Sequence, residues 1–190
     1  MGRPRTLSDS DELDAVGDVI SRHGLSGLTL ARVGRHSGLT ASALVQRWGS
    51  KRALLLAFAR RAAVAAAGTD LVASGRGPAL PRLVRGLAAQ ADLLRTPVDV
   101  AGHLGLLQLD LTDPEFGALA RDHSREIQAR IRESLAAASR RGELDAGRLD
   151  QLAKTLQAVY NGALLSWALD PGSESLREYL EKRLTAVLAL

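Results

Sequence analysis

The chain of 190 residues is 46% hydrophobic and 24% charged, which is typical of a globular protein, and it has no cysteine, which excludes disulfides, thiol catalysis and cysteine-ligated metal sites. Only 3% of its residues are aromatic and β-branched residues are sparse, so we predict an all-α fold. The net charge is +4, but residues 19–69 contain eight basic residues and no acidic one. This positive charge predicts that the N-terminal third of the chain, residues 1–66, forms a head that binds a polyanion. The alternative is a solvated basic surface.

Residues 1–7 predict a flexible basic arm. Pro4 lies between Arg3 and Arg5 and disfavours helix, which keeps both guanidinium groups on an extended chain that can enter a DNA minor groove. A disordered tail with two chance arginines is the alternative. The segment lacks the apolar core of a signal peptide, and no later apolar run is long enough to span a bilayer, so we expect a cytoplasmic protein.

The next four predicted helices each begin after a hydroxyl residue and end near a glycine. A Ser or Thr oxygen at the N-cap accepts a hydrogen bond from a free backbone N–H of the first turn, and glycine adopts the left-handed conformation that ends many helices. The predicted N-caps are Ser8, Thr29, Thr40 and Ser50, and the predicted ends are Gly24, Gly38, Gly49 and Gly75. Asp11 completes a capping box with Ser8.

The third of these helices, over residues 41–48, is predicted to read DNA. Leu44 and Trp48 lie four residues apart and are expected to face the core. The opposite face then consists of small or polar side chains and one valine, namely Ala41, Ser42, Val45, Gln46 and Arg47. A slim helix of this kind can approach base edges in a major groove, and Lys51 in the first turn of the fourth helix suits a phosphate.

This order of residues resembles the DNA-binding domain of the TetR (tetracycline-repressor) family of bacterial transcriptional regulators over about residues 8–60. The resemblance rests on Gly27-Leu28-Thr29, on Ser37-Gly38-Leu39-Thr40, on residues 44–48 and on Ser50-Lys51. It implies phosphate contacts for Thr29 and Ala43, base contacts for Ala41, Ser42 and Gln46, and contacts with the DNA backbone for Arg47 and Lys51. The full predicted DNA-binding set is Arg3, Arg5, Thr29, Thr40, Ala41, Ser42, Ala43, Val45, Gln46, Arg47 and Lys51.

Two positions depart from the family pattern. Val45 stands where a phosphate-contacting tyrosine is usual, and Trp48 stands where phenylalanine is usual. Trp48 can still fill the core, whereas Val45 cannot donate a hydrogen bond and is expected to touch a thymine methyl instead. The departure at Val45 leaves open an alternative function, that of a helical small-molecule-binding or interaction protein with weak or lost DNA readout.

Beyond residue 75, hydrophobic periodicity and breakers predict five further helices, over residues 80–94, 98–111, 112–141, 149–169 and 175–190. We therefore divide the chain into a flexible arm (1–7), a helix-turn-helix domain (8–49), a linking helix (50–74) and a ligand-binding and dimerisation domain (75–190). By resemblance to the family, the linking helix would transmit the ligand state to the head.

Several polar residues of this last domain fall in apolar surroundings and predict a ligand pocket for a small, mostly hydrophobic molecule. The predicted lining residues are His103, Leu107, Gln108, Phe116, His123, Tyr160, Asn161 and Trp167. The alternative is that each polar residue lies in the core and is satisfied by backbone or water.

The last two helices predict a symmetric four-helix dimer interface. The second half of the helix over residues 149–169 is apolar nearly all round, so it has to be covered on every side, and the last helix has a single apolar stripe. The predicted interface residues are Leu156, Val159, Gly162, Ala163, Leu180, Leu184 and Val187. The alternative is a monomer whose own core surrounds this helix.

The sequence contains no Walker loop, GxGxxG or GxSxG motif, and its four histidines lack a metal-binding spacing, so we predict no catalytic residues, no metal and no cofactor. Our prediction is a homodimeric, ligand-responsive transcriptional regulator, a repressor released from a palindromic DNA operator by its effector.

Overall fold

The computed structural model of the chain describes residues 8–68 and 77–188. Within these ranges the secondary structure consists of nine α-helices and one short 3-10 helix, Ala146–Arg148, which confirms the predicted all-α fold. None of the described helices is both long and apolar enough to cross a membrane. The predicted arm with Arg3 and Arg5, and the predicted helix end at Gly75, lie outside the described residues.

The first four helices begin where the sequence predicts. They are α1 (Asp9–His23), α2 (Leu30–Ser37), α3 (Ala41–Trp48) and α4 (Lys51–Gly68). The hydroxyls of Ser8, Thr29, Thr40 and Ser50 each accept a hydrogen bond from the backbone N–H three residues on, at 3.3, 3.2, 3.1 and 3.0 Å. The first three helices end at Gly24, Gly38 and Gly49, all with positive φ. Local cap chemistry therefore sets these boundaries.

The remaining helices are α5 (Ala79–Ala89), α6 (Pro97–Thr112), α7 (Pro114–Arg140), α8 (Leu149–Leu169) and α9 (Leu176–Leu188). The prediction was wrong at the end of α5, which stops at Ala89 rather than at residue 94. From Gln90 onwards the backbone N–H groups bond three residues back, as Gln90 N does to Leu87 O at 3.2 Å. Leu93, which the periodicity assigned to the helix, is exposed.

The described residues fall into two compact units. Unit 1 comes from Met1–Ala63 and Ala101–Leu119, and unit 2 comes from Val64–Val100 and Ala120–Leu190. Unit 1 thus combines α1, α2, α3 and most of α4 with most of α6 and the start of α7. A division at residue 75 along the sequence does not anticipate this grouping, because it depends on contacts between distant segments.

Each unit has its own buried core. In unit 1 the core is built from apolar residues of all four head helices and from Phe116 at the start of α7. In unit 2 the largest fully buried side chains are Leu83, Ile131, Leu135, Leu156, Leu164, Leu180 and Leu184. Burying one such leucine stabilises the fold by about 1.5–3 kcal/mol.

Candidate nucleic-acid interface

Helix α3 presents a buried side and an exposed side, as the sequence predicts. Leu44 is its one fully buried residue, with no exposed surface. Ser42 and Gln46 are exposed, and Val45 has 43% of its surface accessible although it is apolar. Ala41 and Ala43 are partly exposed. The outward face therefore combines a slim first turn with the side chains of Ser42, Val45 and Gln46, a shape that fits a major groove.

The hydroxyl groups at the two helix starts have defined roles before any DNA is bound. Thr29 and Thr40 are exposed, and each cap bond uses one acceptor position of its hydroxyl oxygen. The Oγ atom of Ser42 lies 3.0 Å from the Oγ1 atom of Thr40, which orients both groups at the start of α3. Free N–H groups of a helix start and exposed hydroxyls are suitable donors for phosphate oxygens.

Lys51 is an exposed cation in the first turn of α4. It has no ion-pair partner within residues 8–68 and 77–188. Because an acid would ordinarily be favoured at a helix start, an uncompensated lysine there is well suited to an external anion. Lys51 therefore keeps the features that the sequence assigned to it.

The contacts of Arg47 do not support its predicted place on the DNA backbone. Its Nη1 donates to Glu12 Oε1 at 2.7 Å, and its Nη2 forms a second ion pair with Asp9. The hydrogen bond to Asp9, then the charge of Glu12, raises the pKa of Arg47. Both acids come from the first turn of α1, so the charge of Arg47 is compensated within the protein.

Glu12 is a functional candidate that the sequence reading missed. Its side chain has no exposed surface, and its Oε2 accepts a hydrogen bond from Trp48 Nε1 at 2.5 Å while its Oε1 accepts one from Arg47. A signal was available, because Glu12 lies four and seven residues before Val16 and Val19 and thus on the apolar face of α1. An acid on such a face has to find partners inside the protein.

Acids from distant segments neutralise much of the apparently basic head. Arg61 forms an ion pair with Asp14 of α1 at 2.7 Å. Arg52 and Arg60 form ion pairs with Asp113 and Glu115 at the start of α7. Within residues 8–63, the Lys and Arg side chains with no described ion pair are Arg22, Arg32, Arg35 and Lys51.

The predicted pocket residues divide equally between the units. His103, Leu107, Gln108 and Phe116 belong to unit 1, and His123, Tyr160, Asn161 and Trp167 belong to unit 2. In the single chain His103, Leu107, Gln108 and Asn161 are exposed. The assignment of Phe116 and Trp167 to a pocket lining is not supported, because Phe116 lies in the core of unit 1 and Trp167 is buried with its Nε1 donating to Glu174 O at 3.0 Å.

His123 and Tyr160 are the two predicted polar residues that unit 2 partly buries. Burial lowers the pKa of the His123 imidazole and raises the pKa of the Tyr160 phenol, so both side chains are neutral at neutral pH. Helix α7 is also joined to α8 by a polar cluster that the sequence reading missed, in which Gln157 Oε1 accepts from Gln128 Nε2 at 2.7 Å and from Ser124 at 3.3 Å.

An open cleft of about 550 Å³ lies where α8 is followed by α9, within unit 2. Its lining is polar and includes Asp170, Glu174, Tyr179, Lys182 and Arg183. None of the predicted pocket residues lines this cleft. In the described part of the chain, no group of three or more His, Asp or Glu side chains is arranged to hold a metal ion.

The predicted dimer residues also differ in exposure. Leu156, Leu180 and Leu184 have no exposed surface and Ala163 is 6% exposed within one chain, because the helices of unit 2 already cover them, so these four residues offer little surface to a partner. Val159 and Val187 are partly exposed, and Gly162 is exposed. Leu165 and Leu169, which the prediction omitted, are 47% and 78% exposed and follow Gly162 at helical spacing.

Two family models match this chain. Residues 79–189 match the model described as BetI-type transcriptional repressor, C-terminal, and residues 13–58 match the model described as bacterial regulatory proteins, tetR family. The sequence is also 27% identical over 184 residues to the HTH-type transcriptional repressor AcnR of Corynebacterium efficiens, covering 95% of this chain and 92% of AcnR.

Solved structures show the same fold. A transcriptional regulator from Rhodococcus matches with a TM-score of 0.77 at 18% identity, covering 96% of this chain and 97% of its own. A putative transcriptional regulator from Saccharomonospora viridis, solved in complex with choline, matches with a TM-score of 0.77 at 19% identity, covering 94% and 93%. With a family model matched over more than half of its length, the chain belongs to the TetR family and is a ligand-responsive, DNA-binding transcriptional repressor, not an enzyme.

Proposed function

We propose that α3 enters the DNA major groove and that Gln46, Ser42 and Val45 face the base edges there. The single observation that carries this proposal is the division of α3 into a fully buried Leu44 and an outward face of small or polar side chains. Gln46 suits an adenine edge through paired hydrogen bonds, and the exposed methyl groups of Val45 suit the methyl group of thymine.

Phosphate contacts come from different residues than base contacts. The starts of three helices offer free backbone N–H groups and one uncompensated cation to phosphates. The residues there are Thr29 at α2, Thr40 and Ala43 at α3, and Lys51 at α4. Arg35, on the exposed side of α2 and without a described ion pair, adds a further candidate. Arg3 and Arg5 stay in the proposal as minor-groove contacts on the strength of the sequence alone.

Selection from a pool of random DNA duplexes at several salt concentrations tests this docking. The protein should enrich a roughly palindromic sequence, and failure to enrich any sequence would contradict the proposal and favour lost DNA readout. Gln46→Ala should relax the preference at one position in each half-site. Lys51→Ala should weaken binding to every duplex by the same factor. It should also reduce the magnitude of the slope of log affinity against log salt by about 1 for each half-site. Lys154→Ala, an exposed lysine of α8 in unit 2, is the matched control for the lost charge.

The proposed assembly is a homodimer with one head for each half-site, about 34 Å apart along the DNA. Support comes from α8, where Gly162, Leu165 and Leu169 leave an apolar strip exposed in the single chain. A two-fold contact along this strip would cover it with its own copy, as closed dimers do. Val159, three residues before Gly162 on the same helix, also retains some exposed surface, as does Val187 of α9.

The proposed effector is a small, mostly hydrophobic molecule bound in unit 2. Support comes from His123 and Tyr160, two neutral polar side chains that unit 2 partly buries, because a few polar anchors in an apolar setting are typical of ligand sites. The relative from Saccharomonospora viridis was solved with choline, a small molecule. An effector can reduce DNA affinity only by the ratio of its affinities for the two states. If no hydrophobic compound that binds the protein releases DNA, this assignment is wrong.

A further inference from the structure

Both carboxylate oxygens of Glu12 accept hydrogen bonds from residues in the last turn of α3. One oxygen accepts the Arg47 guanidinium at 2.7 Å, and the other accepts the Trp48 indole N–H at 2.5 Å. The carboxylate has no exposed surface, so water cannot replace either donor. A buried carboxylate is tolerated only when its charge and its lone pairs are satisfied in this way.

Helix α3 has few other restraints on its orientation. It is eight residues long, and Leu44 near its middle is its single fully buried residue. Beyond Leu44, its restraints are the partly buried Trp48 ring and the backbone turn from α2, so the roll and tilt of the helix depend on few contacts. The two bonds from Glu12 fix the C-terminal end, because they hold adjacent residues through two separate oxygens.

Trp48 and Arg47 differ in what they contribute. The Trp48 ring is partly buried against the core of unit 1, and its N–H has the right position for Oε2 of Glu12. Arg47 supplies the positive charge, and its second ion pair with Asp9 of α1 holds the guanidinium in place. Glu12 and Asp9 take two of the five N–H donors of this guanidinium and offset its positive charge, which weakens its attraction for a phosphate.

We propose that Glu12 is a positioning residue for DNA readout and that Arg47 is its counter-ion rather than a phosphate contact. Glu12 does not touch DNA; it sets the angle at which Ser42 and Gln46 meet the base edges. This role rests on the proposed docking of α3 in the major groove.

The test compares two duplexes, the one that the wild-type protein selects from a random pool and a shuffled duplex of the same composition. Glu12→Gln removes the charge, and Trp48→Phe removes only the indole N–H. Each variant should reduce the ratio of the two affinities by about tenfold, which is the loss of affinity typically caused by one mismatched base pair in a binding site. Affinity for the shuffled duplex and its salt dependence should not change, because no phosphate contact is lost.

A merely structural role gives a different result. Loss of stability lowers the folded fraction, which weakens both duplexes by the same factor and leaves their ratio unchanged. Phe58→Leu, which trims a partly buried ring in the same core, is the matched control and should keep the wild-type ratio. The double variant Glu12→Gln/Trp48→Phe should lose less than the product of the two single fold-losses, because both changes act on the same group of hydrogen bonds.

The outcomes separate this proposal from the docking itself. An unchanged ratio in folded Glu12→Gln and Trp48→Phe overturns the positioning role alone, and a wild-type protein that selects no sequence overturns the docking and the positioning role together. If Glu12→Gln is not helical by circular dichroism, the ratio of affinities measured for Trp48→Phe decides whether the positioning role holds. Arg47→Met should leave the salt slope unchanged, whereas a slope lower by about 1 would identify Arg47 as a phosphate contact and overturn its role as counter-ion.

Discussion

At the scale of single residues, Asp113 joins two helices of unit 1. Its Oδ1 accepts the backbone N–H of Glu115 at 3.0 Å and caps the start of α7. Both of its oxygens also accept from Arg52 of α4, at 2.7 and 2.9 Å. The same guanidinium donates to Glu115 at 3.0 Å and lies 5.7 Å from the centre of the Phe116 ring. One carboxylate thus fixes the beginning of α7 against the beginning of α4.

This arrangement predicts a pH-dependent contribution to stability. The hydrogen bond from Arg52, with the backbone bonds beside it, lowers the pKa of Asp113 from 3.8 to about 2. Because the folded state then binds fewer protons than the unfolded state, the contribution is present above pH 3.8 and is lost as the pH falls through about 2. When both proteins are unfolded in urea, the free energy of unfolding of the wild type should exceed that of Asp113→Asn above this pH window. The difference between the two free energies of unfolding should become smaller as the pH falls through the window.

Arg52→Gln supplies the control for that measurement. Without its main partner the carboxylate of Asp113 should titrate nearer its ordinary value. The effect of Asp113→Asn on the free energy of unfolding, measured in the Arg52→Gln background, should therefore begin to narrow at higher pH. A difference that stays constant with pH in the wild-type background would contradict the assigned pair.

At the scale of elements, the turn from α2 to α3 depends on a close approach of two backbone segments. Leu39 N donates to Gly34 O at 2.9 Å, and a Cβ atom on Gly34 would lie 2.4 Å from Leu39 O. Gly38 between them has φ 76°, in the left-handed region that glycine adopts most easily. The sequence pattern identifies Gly38 as a helix end but gives no role to Gly34.

Gly34→Ala should destabilise the protein by about 1–3 kcal/mol, because the new methyl group meets a backbone carbonyl that cannot move without breaking the turn. The better helix propensity of alanine offsets only about 1 kcal/mol of this. Gly17→Ala in α1 is the matched control, since its Cβ would make an ordinary contact at 3.4 Å with the Phe58 ring. Equal unfolding free energies for the two variants would contradict this account of the turn.

Helix boundaries were predictable wherever one local group decides them. The caps at Ser8, Thr29, Thr40 and Ser50 are examples, because each bond spans three residues. The end of α5 was not, since the apolar period continues through residue 94 although the chain has already changed to turns. The pairing of Glu12 with Arg47 was not predictable either, because 35 residues separate the partners.

At the scale of the whole molecule, the charge of the head differs from its charge in sequence. The acid-free stretch predicts a uniformly positive surface, but Asp14, Asp113 and Glu115 pair with three of its arginines. These partners are brought together only by the fold of unit 1. The uncompensated charge is therefore smaller than the sequence indicates, and Arg35 and Lys51 carry a larger share of it.

The dimer proposal is tested by Gly162→Leu. No atom lies within 4 Å of the Cβ position of Gly162 in the single chain, so the leucine should leave the fold of the protomer intact. On the proposed two-fold contact it should clash with the partner helix, and sedimentation should show dissociation into monomers with unchanged helical content. Ala129→Leu adds a comparable side chain at an exposed position of α7 and should retain the dimer. A tight dimer of Gly162→Leu would exclude this strip as the interface.

The contact between α1 and the end of α3 also affects how such a protein could be re-engineered. Grafting residues 41–48 alone onto a regulator that lacks a carboxylate at the position of Glu12 would leave the indole N–H and the guanidinium without this acceptor. Leaving the partly buried indole N–H unpaired costs about 1–3 kcal/mol. The portable unit for changing operator specificity is therefore α3 together with one residue of α1, although the two lie far apart in the chain.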